Sequence, residues 1–289
     1  MVTTTELPGG TWTLGDRSVS RFGYGAMQLA GPWVVGPPKD HDAAVAVLRE
    51  AVASGITHID TAETYGPRVV NDLIREALHP YASELLIATK AGGRRDAQGG
   101  WPAAREPDEL KAQIDDNLET LGIDVLDLVH LRLGDPSGPV PGPIDEAFET
   151  LVGLQQQGLI RHLGVSNATA EQVTQAQSIA PIVSVQNMYN VANRWDDALI
   201  DRLAGERIAY IPFFPLGGFT PLQSDSLSAV AARLDASPMS VALAWLLQRS
   251  PNILLIPGTS AAAHLRENIA GAALTLSDND LAELNDIAG

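Results

Sequence analysis

Eight times along this chain a short apolar run, rich in β-branched residues, is followed by a stretch with helical spacing. The runs lie near residues 22, 58, 86, 127, 161, 184, 209 and 254. Strands that are apolar throughout are expected where both faces are covered. Eight strand–helix units within 289 residues predict an α/β fold, a closed (β/α)8 TIM barrel, with residues 1–289 as one domain. A doubly wound sheet would show a Gly-x-Gly-x-x-Gly turn in its first unit. Residues 22–28 hold two glycines but no such turn.

The barrel strands are expected over 22–27, 58–60, 85–89, 125–131, 160–165, 183–187, 208–214 and 253–256. Residues 11–19 alternate around Gly15-Asp16 and read as an N-terminal hairpin. Helical spacing covers 40–54, 69–78, 107–121, 144–157, 169–179, 196–204, 222–234, 238–249 and 261–272. A last helix over 277–287 has Ser277 as cap and Asp280 in the capping-box position. Residues 91–107 form a long loop of the kind that usually serves function.

Composition excludes several classes. With no cysteine, disulfides, thiolate metal sites and cysteine nucleophiles are absent. A net charge of -16 repels nucleic acid and anionic membranes. Residues 1–10 lack the basic and apolar regions of a signal peptide. No apolar run reaches membrane-spanning length. A cytoplasmic, soluble monomer acting on a small molecule is expected.

In such a barrel the active site forms at the C-terminal ends of the strands. Those ends carry Asp60, Lys90, His130 with Arg132, Ser166 with Asn167, and Gln186 with Asn187, and the loop after the second strand offers Tyr65. Singly each has a bland explanation, as a solvated strand end or a hydrogen-bond plug. Together at one mouth they suggest chemistry. A tyrosine with a pKa of roughly 10 exchanges protons poorly near neutrality. A nearby ammonium favours its phenolate. Lys90 can supply that charge, and Asp60 can hold Lys90 in place. A tyrosine so tuned can give a proton to an oxygen and take it back. That suits carbonyl reduction, with hydride from a cofactor, since no side chain supplies one.

The segments Ile59-Asp60-Thr61-Ala62-Glu63-Thr64-Tyr65-Gly66, Ala88-Thr89-Lys90, Gly164-Val165-Ser166-Asn167, Phe213-Phe214-Pro215-Leu216-Gly217 and Ile256-Pro257-Gly258-Thr259 resemble the aldo-keto reductase family. The resemblance spans the chain. It implies a barrel that binds NADPH without a Rossmann domain, with Tyr65 as proton donor tuned by Asp60 and Lys90. It implies that Ser166, Asn167 and Gln186 hold the nicotinamide carboxamide and that Phe213 stands where a stacking tyrosine is usual. Ala26, Met27, Phe214, Pro215, Leu216 and Gly217 would line the cofactor, and Glu267 and Asn268 would meet adenine. The text at 25–32 and 212–219 is similar to the bacterial pyridoxal-reductase-like members, which implies reduction of pyridoxal to pyridoxine. Trp33 and Trp101 would border the substrate.

Two departures stand out. The family's histidine on the fourth strand falls at Arg132, with His130 two residues earlier on the same face. Arginine is always charged and only donates, so Arg132 would favour a substrate with an anionic oxygen, such as the 3-oxygen of pyridoxal. At the adenosine phosphate the usual Lys-Ser is replaced by Gly258, Thr259 and Ser260, with His264 at the arginine position and Arg266 close by. NADPH is expected, and NADH is the alternative. Two other readings are a non-catalytic nicotinamide sensor and a metal-dependent hydrolase built on His58, Asp60 and His130. The second lacks the clustered ligands a metal needs.

Overall fold

The computed structural model of the protein describes residues 7–96, 98–135, 138–217 and 224–288. A two-stranded antiparallel hairpin, β1 (Thr11–Leu14) and β2 (Arg17–Ser20), comes first. Seven parallel strands follow in spatial order: β3 (Tyr24–Gly25), β4 (His58–Asp60), β5 (Leu86–Ala91), β6 (Leu126–Arg132), β7 (Ile160–Ser166), β8 (Ser184–Gln186) and β9 (Ala209–Tyr210). The eighth member is the segment 253–258. It closes the barrel through isolated parallel bridges, Tyr210 to Ile253, Phe22 to Leu255 and Gly25 to Gly258. Pro257 has no N–H to give a regular ladder. Gly25 is required at this seam, because a Cβ there would lie 2.4 Å from the Ile256 carbonyl oxygen.

The helices are α1 (His41–Ala53), α2 (Val69–Leu78), α3 (Pro107–Leu121), α4 (Asp145–Gln156), α5 (Ala170–Ile179), α6 (Asp197–Gly205), α7 (Asp225–Arg233), α8 (Pro238–Arg249), α9 (Ala262–Ala272) and α10 (Asp278–Asn285). Their ends follow local chemistry. The Asp40 carboxylate accepts from Ala43 N–H to start α1. Thr169 with Gln172 and Ser277 with Asp280 form capping boxes at α5 and α10. Gly122 ends α3 in the left-handed region at φ 69°.

Some expected bounds change. The first barrel strand stops at Gly25, because Ala26–Leu29 winds into a 3-10 turn. The strand expected over 208–214 narrows to β9, although Ile211 and Phe213 still donate to the Val185 and Asn187 carbonyls at 2.8 and 3.0 Å. Residues 222 and 223 of the helix expected over 222–234 lie outside the described residues. So do residues 218 and 219 and residues 1–6. Among the described residues no single helix is long and apolar enough to cross a membrane.

Two cores result from the alternation of each strand. One face of the sheet and the helices share the larger core, which includes Ile59, Ile87, Val129, Leu163 and Val185. The other face points inward. There Leu86, Ala88, Leu128, Ala209, Ile211, Leu254 and Ile256 pack on Leu14 and Val19 of the hairpin. The hairpin therefore plugs the N-terminal end of the barrel and leaves the opposite end as the mouth.

Candidate active site

Inward positions two residues apart on one strand stack along the barrel axis. On β5 the inward series Leu86 and Ala88 ends in Lys90, and on β4 it ends in Asp60. The Lys90 ammonium donates to Asp60 Oδ1 at 2.6 Å and to the Thr61 carbonyl at 2.9 Å. Gln186 Nε2 on β8 donates to the other Asp60 oxygen at 2.7 Å. All three side chains are buried. A buried ion pair persists only when its remaining hydrogen-bonding capacity is met, and here it largely is. Burial acts to lower the Lys90 pKa, but Asp60 and then Tyr65 outweigh it, and the ammonium is held above its usual value.

Lys90 Nζ lies 5.2 Å from the centre of the Tyr65 ring. The strand ends beneath are braced by a buried polar chain. Thr61 donates to Asn71 at 2.8 Å, Asn71 donates to Asn117 at 3.0 Å, and Thr89 donates to Asn117 at 2.6 Å. These asparagines sit inside α2 and α3, where asparagine is a poor helix former. That mismatch of residue and helix is the one sign of them in the sequence.

Arg132 and His130 share a face of β6 but occupy different depths. Arg132 lines a cavity of about 210 Å³ together with Tyr65, Lys90, Trp101 and Gln186. Its guanidinium carbon is 5.5 Å from the centre of the Phe213 ring. Among the described residues no carboxylate forms an ion pair with it. Burial lowers its pKa, and Tyr65 and Asp60 oppose that. Arg105, absent from the sequence reading, donates to the Arg132 and Gly134 carbonyls, each at 3.1 Å. His130 is fully buried, with Nε2 2.9 Å from Ser184 Oγ and Nδ1 without a partner among the described residues. Burial pushes its pKa down to about 4. His58, beneath Asp60, is pushed down to about 4 by the same cause. Among the described residues no three His, Cys, Asp or Glu side chains are grouped to hold a metal ion.

A second cavity of about 340 Å³ shares Met27, Tyr65, Phe213 and Phe214 with the first. It runs on past Gly25, Pro215, Leu216 and Gly258, with Trp33 at its rim. Trp33 is 80% exposed, whereas Trp101 is half-buried in the inner cavity. Ala26 is buried in the 3-10 turn, and Gly217 takes φ 92° in the turn after Phe214. Ser166 Oγ is 3.5 Å from Gln186 Oε1. Asn167 donates through Nδ2 to the Asp135 and Gly138 carbonyls at 2.7 and 3.1 Å, while its buried Oδ1 has no partner among the described residues. That orphaned acceptor is what a carboxamide N–H requires, so the residues fit a nicotinamide.

The candidate adenosine residues lie apart. Ser260, His264 and Glu267 are exposed, Asn268 is half-buried, and none of them lines either cavity. The Thr259 hydroxyl accepts from Ala261 N–H at 3.1 Å. Arg266 is held by Glu50 at 2.5 Å, on the neighbouring α1.

A closed parallel barrel whose mouth joins a tyrosine, a buried lysine–aspartate pair and a groove suited to nicotinamide is an oxidoreductase. The chain belongs to the aldo/keto reductase family, whose model matches residues 21–288. It is 59% identical over 280 residues to the pyridoxine 4-dehydrogenase of Escherichia coli, covering 96% of this chain and 98% of that protein. It is 38% identical over 278 residues to an uncharacterized oxidoreductase of Schizosaccharomyces pombe, covering 96% and 89%. Among solved structures, a thermostable aldo-keto reductase in complex with the inhibitor epalrestat superposes with a TM-score of 0.81 at 28% identity, covering 96% of this chain and 99% of that one.

Proposed function

We propose that this protein reduces pyridoxal, or an aldehyde of the same build, to its alcohol with NADPH. One observation carries the reading: Tyr65 stands on the wall shared by the two cavities, beside the buried Lys90–Asp60 pair. Bound in the longer cavity, NADPH supplies the hydride. Ser166, Asn167 and Gln186 would hold the carboxamide, and Phe213 would stack on the ring. Backbone from Phe214 to Gly217 and at Gly258 would follow the pyrophosphate, with Thr259, Ser260, His264, Glu267 and Asn268 toward the adenosine.

The protein's own part is a proton transfer. Tyr65 donates its hydroxyl proton to the carbonyl oxygen as that oxygen gains negative charge. The Lys90 ammonium stabilises the phenolate left behind, and Asp60 fixes the ammonium. Gln186 joins Asp60 to the carboxamide pocket, which ties the proton donor to the cofactor. Arg132 carries a half-buried charge with no carboxylate partner among the described residues. An anionic substrate oxygen would meet it. The 3-oxygen of pyridoxal has that character, and the Escherichia coli relative named above supports the same substrate.

The test is consumption of NADPH with pyridoxal and with simple aromatic aldehydes, repeated with NADH and with Arg132→Met. Turnover of pyridoxal with a selective loss for pyridoxal in Arg132→Met is expected. Activity on simple aldehydes alone would remove the pyridoxal assignment. An equal loss for anionic and neutral aldehydes would remove the role given to Arg132. Binding of NADPH with no turnover of any aldehyde would favour a redox sensor.

A further inference from the structure

Around Tyr65 the contacts form a closed circuit that passes through the loop between β5 and α3. The loop between β5 and α3 folds into a narrow ribbon. Gly93 bridges Ala103 antiparallel, and Arg94 N–H donates to the Pro102 carbonyl at 3.1 Å. Asp96 stiffens the tip by accepting from the Gln98 and Gly100 N–H groups at 3.0 and 2.6 Å. From this ribbon Trp101 meets the Tyr65 ring edge-on, with centroids 6.4 Å apart.

Arg95 lies over Trp101, its guanidinium carbon 3.9 Å from the ring centre. The same guanidinium leaves the ribbon and donates to the Trp33 carbonyl at 2.6 Å and, more weakly, to the Val34 carbonyl at 3.3 Å. Those carbonyls belong to a turn in which Trp33 and Val34 both take left-handed backbone, φ 60° and 62°. Such angles are costly for a β-branched valine, so the turn needs outside anchors. It finds one on the far side, where Gly66 N–H donates to the Val34 carbonyl at 3.2 Å and Gly36 N–H to the Gly66 carbonyl at 3.1 Å. Gly66 follows Tyr65. The circuit thus runs Tyr65, Trp101, Arg95, the 33–34 turn, Gly66 and back to Tyr65. Arg95 is the link that joins its two loops.

We infer that Arg95 is a positioning residue for Tyr65: it holds Trp101 against the phenol ring and locks the 33–34 turn over the groove, so that the proton donor keeps one orientation. The chemistry suits arginine and no other cation. A planar guanidinium can stack on an indole and still donate in its own plane to two carbonyls, whereas an ammonium cannot do both. Two of its nitrogens, Nε and Nη1, are buried without a partner among the described residues. That arrangement is tolerable only because the indole face beneath receives the charge. Burial lowers the Arg95 pKa, consistent with a cation drawn out of water to do this.

The inference rests on Tyr65 as proton donor, and the experiment separates the two. Arg95→Met, Arg95→Lys and Tyr65→Phe are assayed with pyridoxal and NADPH, alongside cofactor binding and melting temperature. Arg95→Met is expected to lower kcat/KM by about tenfold, most of it in kcat, since small misplacement of a reacting group is costly. Its NADPH affinity falls by less than kcat does, because the 33–34 turn borders only the rim of the longer cavity and the residues that would hold the nicotinamide are untouched. Arg95→Lys restores little, because it keeps the charge and loses the plane. If Arg95→Met keeps wild-type kcat, or Arg95→Lys restores it fully, the positioning role is overturned. If Arg95→Met loses kcat only in step with melting temperature and NADPH affinity, Arg95 is merely structural and the role is likewise overturned. A dead Tyr65→Phe beside an unaffected Arg95→Met sinks the positioning role alone. A fully active Tyr65→Phe removes the proton donor and the positioning role with it.

Discussion

The two ends of the barrel interior are built by the same strands and behave oppositely. On β5 the inward residues are Leu86, Ala88 and then Lys90, and on β6 they are Leu128, His130 and then Arg132. The lower end is apolar and filled, with Leu14 and Val19 of the hairpin pressed among strand side chains. The upper end is hollow and holds charge: two joined cavities, a buried ion pair and a half-buried guanidinium. A low-dielectric floor beneath the charges strengthens every interaction above it. The apolar end therefore contributes to function by keeping water from the site's underside, as well as to stability.

If this division is right, substitutions at the two ends should fail in different ways. Tyr65→Phe removes the proton donor and is expected to lower kcat by about 10²–10⁴-fold, the usual worth of a positioned acid. Its melting temperature should barely change, and calorimetry beside the kinetics checks both. At the other end Leu14 is fully buried in the plug. Leu14→Ala should cost about 2–5 kcal/mol of stability in urea unfolding. KM for the aldehyde should hold at temperatures where the variant is folded. A large rise in KM would show that the plug shapes the mouth directly.

Between the two ends lie His58 and His130, buried and each pushed down to about 4. In the unfolded chain a histidine titrates near 6.5. Between about pH 6.5 and 4 the unfolded chain takes up protons that the folded one refuses, so stability falls as pH falls through that window. Each histidine should lower unfolding free energy by on the order of 3 kcal/mol across it. His130→Asn should remove about half of that slope, as read from urea unfolding at several pH values. An unchanged slope would mean that His130 takes up its proton in the folded chain as readily as in the unfolded one.

The smallest effect belongs to the hairpin tip. Asp16 meets His162 at 2.6 Å, with half of the Asp16 side chain exposed. Its pKa is lowered chiefly by that hydrogen bond, against a smaller opposing effect of burial. Asp16→Asn should cost no more than about 1 kcal/mol, as exposed pairs do. A larger loss would make the tip a latch rather than an ornament on the plug.

The sequence by itself determined the barrel, because eight apolar strand runs alternating with helices leave no other economical way to bury both faces of each strand. It also determined which strand ends carry Asp60, Lys90, Arg132, Ser166 and Gln186, since strand boundaries follow from where apolar runs stop. Tertiary structure decided depth and partnership. Only the register of β6 against its neighbours sets Arg132 on the cavity wall and His130 below it. Only closure of the ring brings Gln186 to Asp60, 126 positions away in sequence. Arg95 was illegible for the same reason. It sits in a long loop with no periodic pattern, and its function depends on two carbonyls about sixty residues earlier. Local chemistry writes strands, helices and caps into the chain. Contacts between distant loops depend on how the barrel closes, and no local pattern records that.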